Sequence, residues 1–206
     1  MSDKSAARAM RVCVYCGART GARPAYAEAA RRLARELAAR GHDLVYGGAS
    51  VGLMGVVADT MLAAGRSVTG VLPSALFQSE VAHAGLTRLV EVGSMHERKA
   101  TMAELADAFV ALPGGFGTLE EIFEALTWTQ IGLHAKPCGL LDVDGYFSHL
   151  ASFLAHTVAE GFVAARNLDH LAIDDDPARL LDAMDGRRGA ADLAVDWTRA
   201  RGGGPS

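Results

Sequence analysis

One stretch constrains this chain more than any other. The apolar run of residues 108–112, Ala-Phe-Val-Ala-Leu, ends in Pro113-Gly114-Gly115-Phe116-Gly117-Thr118-Leu119-Glu120-Glu121. The run is short and β-rich, as a buried strand is. Past the glycines, Ile122, Phe123, Ala125, Leu126 and Trp128 fall near helical spacing. The glycines therefore occupy a strand-to-helix turn, with Thr118 predicted as the helix N-cap. Free backbone N–H groups at such a start attract an anion, commonly a phosphate. Glu120 and Glu121, predicted in the first turn, admit two readings. Acidic residues there complement the helix dipole and need no ligand. A carboxylate beside a phosphate loop also repels the anion, so a second reading gives it a further task.

A similar turn occurs earlier. Residues 43–46, Asp-Leu-Val-Tyr, read as a strand that runs into Gly47-Gly48-Ala49-Ser50-Val51-Gly52-Leu53-Met54-Gly55, with helical spacing continuing to Ala64. This is neither the dinucleotide G-x-G-x-x-G nor a Walker loop, because no Gly-Lys-Ser/Thr follows. Gly48 and Gly52 are candidate ligand positions, and a purely structural turn is the alternative.

The remaining chain alternates in the same manner. Strands are expected at 11–16, 68–72, 89–92, 138–143 and 171–173, and helices at 24–40, 95–106, 146–162 and 177–184. Residues 74–86, which hold Glu80 and His83, show no regular pattern. This alternation predicts an α/β fold: a single doubly wound, Rossmann-like domain over residues 10–186 with a mostly parallel sheet. Residues 1–9 and 187–206 are expected to be a flexible start and a variable, mobile tail. Ligands of such sheets bind outside the carboxyl ends of the strands, where both glycine turns and the start of the Met95 helix should converge.

Composition removes several function classes. The 206 residues carry 20 Lys+Arg against 24 Asp+Glu, a net charge of -4 that argues for neither a nucleic-acid nor a membrane partner. No apolar run reaches the roughly 18 residues of a membrane span, and residues 1–10 lack a signal-peptide core, so a cytoplasmic location is expected. Cys13 and Cys16 form a C-x-x-C, but three residues apart on a strand they face opposite sides. Zinc also needs more ligands than Cys138 could add; no metal site is expected. His149 and His156, seven apart on a helix, have no partner at metal-ligand spacing. On the 95–106 helix, Met95, Arg98, Lys99 and Met102 share one face, either as snorkelling cations at a half-buried edge or as a cationic pocket wall.

With these motifs assembled, the chain resembles the LOG ("Lonely guy") family of cytokinin riboside 5′-monophosphate phosphoribohydrolases, often labelled lysine decarboxylase-like. The resemblance spans about residues 11–175 and rests on Cys16-Gly17, on Gly47-Gly48 through Gly52-Leu53-Met54-Gly55, on Met95-His96-Glu97-Arg98-Lys99, and on the P-G-G-x-G-T-x-x-E pattern ending at Glu121. It implies hydrolysis of the N-glycosidic bond of a nucleoside 5′-monophosphate. By the same resemblance Arg98 and Glu121 match the catalytic pair. Glu80, Lys99, Gly115, Phe116, Gly117, Thr118, Leu119, Glu120 and Thr127 match nucleotide-binding positions, to which Gly114, Gly48 and Gly52 are added from the two turns. Two positions depart from the family: Ala18 stands where a serine is usual, and Ala49 where a third glycine is usual.

The chemistry agrees with the residues. Breaking a ribosyl C–N bond develops positive charge at the anomeric carbon, and a nearby carboxylate stabilises that charge or orients water. Such hydrolysis needs no cofactor, and nothing identifies a Schiff-base lysine for pyridoxal chemistry. A non-catalytic LOG-like carrier of a nucleotide-like ligand is the alternative, although a carrier has no use for a carboxylate at the anomeric carbon. The resemblance also implies a homodimer, as does the apolar surface of Phe123, Trp128 and Ile131 on the long helix predicted from Leu119.

Overall fold

The computed structural model describes residues 9–77 and 82–187. Glu80 and nearly all of the two terminal segments lie outside the described residues. Seven strands form one sheet: β1 (Arg11–Tyr15), β2 (Asp43–Tyr46), β3 (Val68–Pro73), β4 (Arg88–Val92), β5 (Ala108–Ala111), β6 (Cys138–Leu141) and β7 (Leu171–Asp174). Their spatial order is β4-β3-β2-β1-β5-β6-β7, and every neighbouring pair is parallel. The order reverses between β1 and β5, which is the topological switch point of a doubly wound sheet.

Between the strands run α1 (Pro24–Ala39), α2 (Gly52–Ala63), the short α3 (Ser74–Phe77), α4 (Met95–Leu105), α5 (Phe116–Gln130), α6 (Ser148–Ala159), the short α7 (Ala165–Leu168) and α8 (Pro177–Asp185). Alternation along each strand sends side chains to two separate cores. One core packs Val12, Val14, Leu44 and Val110 under α1, α2 and α8, with Leu33, Leu37, Met61 and Leu180 fully buried. The other packs Cys13, Tyr15, Val45 and Phe109 under α4, α5 and α6, with Met102 and Ile122 fully buried. Each such side chain contributes about 1.5–3 kcal/mol by leaving water. Cys13 and Cys16 fall in different cores, as their spacing requires, and burial raises the pKa of both thiols. His149 and His156 lie exposed on α6. No helix among the described residues is long and apolar enough to cross a membrane.

Several boundaries differ from the expectation. The stretch read as irregular contains α3. The helix expected over 146–162 is a 3-10 turn at Val143–Gly145, with Asp144 at φ 49°, followed by the shorter α6. The most consequential difference is at α5, which starts at Phe116 with Gly115 as its N-cap. Thr118 is therefore an interior residue, buried and packed against Gly114. The helix starts without a side-chain cap.

Candidate active site

The chemistry-bearing residues gather at the carboxyl ends of β1, β2, β3 and β5, on the α4/α5 side of the sheet. The local fold of α4 explains how its cations arrive there. Ser94 caps the helix by accepting from Glu97 N (3.1 Å), while Glu97 Oε2 accepts from Gly93 N (2.7 Å), a close relative of the capping box. The next residue, Arg98, is anchored by backbone: Nε donates to Val71 O at 3.1 Å and Nη2 to Gly47 O at 3.4 Å. A Cβ at Gly47 would overlap Arg98 Nη2. This glycine makes room for the guanidinium, a role that its place in the glycine-rich turn does not announce.

Arg98 Nη1 lies 3.5 Å from Glu121 Oε1, with the two side chains only 13% and 12% exposed. Burial pushes the Glu121 carboxyl up to about 7, against the pull of Arg98 and with a further push from Glu120. The cation thus fails to restore an ordinary carboxylate, because desolvation of the charged form outweighs the pair. Beside it, Lys99 Nζ donates to Glu120 Oε1 and, at 3.2 Å, to Glu124 Oε1. Those hydrogen bonds, Glu120's first, hold the ammonium above its usual pKa. The α4 stripe is therefore a cationic wall facing carboxylates, and the snorkelling alternative does not describe it.

The start of α5 lies one turn from this cluster. Gly115, Phe116 and Gly117 are exposed, and a Cβ built on Gly115 or Gly117 meets nothing within 4 Å. They sit exposed at the positive end of a 15-residue helix, whose first amides have no intrahelical acceptor. Because the helix begins at Phe116, Glu120 and Glu121 belong to its second turn, and its first turn holds no acidic residue. Dipole complementation fades beyond the first turn, which weakens the capping explanation for Glu121. Leu119 is half-buried, and exposed Thr127 spends its hydroxyl on Phe123 O at 2.7 Å.

Gly48 and Gly52 behave differently. Both are at positive φ, 81° and 60°, and a Cβ at Gly52 would overlap the Ala18 backbone. They let the β2 turn and α2 pack against β3 and the turn after β1, where Leu53 N donates to Gly17 O at 3.0 Å. On the other side of the β5 turn, Gly17, Arg19, Tyr26, Pro113, Gly114 and Tyr146 line a cavity of about 380 Å³. Gly115 lines it too, so it adjoins the start of α5, while neither Arg98 nor Glu121 is among its lining residues. Among the described residues no group of three His, Cys, Asp or Glu side chains has the arrangement of a metal site.

The family model described as "Possible lysine decarboxylase" matches residues 54–184. A probable cytokinin riboside 5′-monophosphate phosphoribohydrolase of Oryza sativa subsp. japonica is 54% identical over 156 residues, which cover 76% of this chain and 69% of that protein. The chain belongs to the LOG family. A cytokinin riboside 5′-monophosphate phosphoribohydrolase of Arabidopsis thaliana, 49% identical over 162 residues, covers 79% of the chain, which spans 75% of that relative. Among solved structures, the molybdenum cofactor carrier protein of Chlamydomonas reinhardtii superposes with a TM-score of 0.67 at 23% identity, over 87% of this chain and 98% of the carrier. At that identity the likeness concerns the fold alone. LOG family membership gives the α4 and α5 motifs a shared origin with enzymes at about half identity, whereas the carrier shares only the architecture.

Proposed function

We propose that this chain hydrolyses the N-glycosidic bond of an N6-modified adenosine 5′-monophosphate to free base and ribose 5-phosphate. The names of its relatives at 54% and 49% identity support this substrate class. The observation that carries the reaction is the buried Arg98–Glu121 pair one helical turn from an open glycine-rich helix start. In this reading the 5′-phosphate is held by the amides of residues 116–118, and the ribose extends along α5 toward Glu121. As the C–N bond breaks, its electron pair leaves with the base, which takes up a proton, and water supplies the new hydroxyl. The Glu121 carboxylate stabilises the cationic anomeric carbon and accepts the proton of the attacking water. A carboxyl with a pKa of about 7 is matched to proton transfer near neutral pH. Arg98, fixed by backbone carbonyls, keeps Glu121 oriented and offsets the approach of a phosphate to an acidic cluster.

A Schiff-base role for Lys99 finds no support, since two carboxylates keep its amine protonated, whereas imine formation needs the neutral amine. We also propose that two copies associate through α5. Of the apolar residues expected on this surface, Phe123 and Trp128 pack partly against the core, but Ile131, Leu133 and, at the other end of the helix, Phe116 are exposed and would be covered by a second copy. Light scattering should give twice the chain mass of 21.6 kDa; a stable single-chain mass at micromolar concentration would remove this part.

The reaction itself is tested by Glu121→Gln beside Glu120→Gln. The first should lose on the order of 10²–10⁴ in kcat while still binding nucleotide, and the second should change far less. Near-normal base release by Glu121→Gln would overturn the assignment.

A further inference from the structure

The two cations of α4 are anchored in different ways. Arg98 rests on two backbone carbonyls and would stay in place with Glu121 removed. Lys99 is held through carboxylates: among the described residues its ammonium donates to Glu120 and Glu124. These two are unequal partners. The Glu120 side chain is 55% exposed, whereas that of Glu124 is 24% exposed and Lys99 itself 11%. The Glu120 hydrogen bond acts more strongly on the ammonium, but an exposed ion pair is screened by solvent, so Glu124, the less exposed partner, adds a hold that solvent weakens less. Glu124 also lies three residues from Glu121, on the same stripe of α5.

We propose that Glu124 is a positioning residue. It keeps the Lys99 ammonium against α5, within reach of a bound nucleotide, and so fixes the set of charges that Glu121 faces. The proposal rests on the reading of Glu121 as the reacting carboxylate and adds a residue that the family motifs in the sequence did not supply.

The charges that act most on Glu121 lie on α4 and α5. Arg98 and Lys99 face it from α4, Glu120 and Glu124 lie on its own helix, and Cys13, Tyr15 and Cys16 stand on and just beyond β1, kept neutral by burial. Three carboxylates against two cations leave one uncompensated negative charge. Neutralising Glu124 balances the cluster, which makes Glu121 easier to ionise. Neutralising Lys99 leaves two negative charges uncompensated, which makes it harder. Glutamine at 124 keeps an acceptor oxygen for Lys99, so the cation stays in place and the two changes should move Glu121 in opposite directions.

The test is the titration midpoint of the Glu121 carboxyl carbon, followed by NMR in the full chain, for wild type, Glu124→Gln and Lys99→Met. Glu124→Gln should lower the midpoint by about 0.5 pH unit and Lys99→Met should raise it by a similar amount. Coincident midpoints, or shifts of the same sign, would overturn the proposal whatever happened to the melting temperature. The acid limb of kcat/KM for a nucleoside monophosphate should follow the NMR midpoints. The substrate phosphate titrates near 6 in every variant, so only a variant-dependent displacement reports on the protein. Glu124→Ala, which leaves Lys99 only its solvent-exposed partner Glu120, should raise KM several-fold more than it lowers kcat. The midpoint is read without turnover, so it decides the role of Glu124 even if the nucleotide is not hydrolysed. Midpoints that move while the rate limb stays still would reject Glu121 as the reacting group instead.

Discussion

The turn after β2 is closed and the turn after β5 is open. Gly47 and Gly48 are buried, Gly52 sits at φ 60°, and added methyl groups at Gly47 and Gly52 would overlap Arg98 and the Ala18 backbone. Gly115 and Gly117 are exposed, and a methyl group on either would meet nothing. Glycine at the first turn lets chain segments and one guanidinium approach closely. At the second it leaves amides bare. The first turn therefore builds the site and the second offers it to a ligand, and substitutions should separate the two roles.

The largest effect is expected at Gly52. Alanine there meets both a positive φ and the Ala18 backbone, and chemical denaturation should show a loss of about 3 kcal/mol. Gly47→Ala comes next and acts on rate, because the atom it strikes is the far end of a side chain that can move. Displacing Arg98 should cost on the order of 10² in kcat/KM with little change in melting temperature; unchanged kinetics would show that Arg98 need not sit where Gly47 lets it.

A third expectation concerns pH. Glu121 has a folded pKa of about 7, above the usual carboxyl value of 4.5. A raised carboxyl pKa means that the folded state favours the protonated form. Its stability is fully present below the unfolded value, declines as pH rises from about 4.5 to 7, and stays low above that. Glu121→Gln removes this decline, so the variant should be more stable than wild type by about 2 kcal/mol in mildly alkaline buffer. A carboxylate serving only as a helix cap would give the opposite sign, a loss of about 0.3–1 kcal/mol. The smallest effect belongs to Gly117→Ala. It should leave stability unchanged or raised by up to about 1 kcal/mol, while KM for the nucleotide rises several-fold as the methyl group enters the space assigned to the phosphate.

The alternation of apolar runs with helical spacing suffices to place all seven strands and the sheet's doubly wound form, because the central strands are buried on both faces and each crossover needs a helix. The start of α5 lies three residues before the position that Thr118 as a cap implies. Thr118 has the chemistry of a cap, but its packing on Gly114 makes it an interior residue and leaves Gly115 as the cap. The Ser94-x-x-Glu97 spacing marks the start of α4. Gly47 carries no signal that distinguishes it from Gly48, since what it accommodates is a side chain 51 residues away. In the sequence Glu124 is one polar residue of a helical stretch; only the 3.2 Å approach of Lys99 brings it to the site. Contacts between α4 and α5 depend on how two helices lie on one sheet face, which local spacing does not encode.

The central claim is that a phosphate at the start of α5 brings a glycosidic bond to Glu121. It is tested most directly by wild-type protein given N6-isopentenyl-AMP in one vessel and N6-isopentenyladenosine in another, without added metal or pyridoxal phosphate, with free base measured over time. The monophosphate should react at least about 10² times faster, because binding energy from the remote phosphate is realised at the reacting carbon. Equal rates from the two, or base release from neither, would contradict the account.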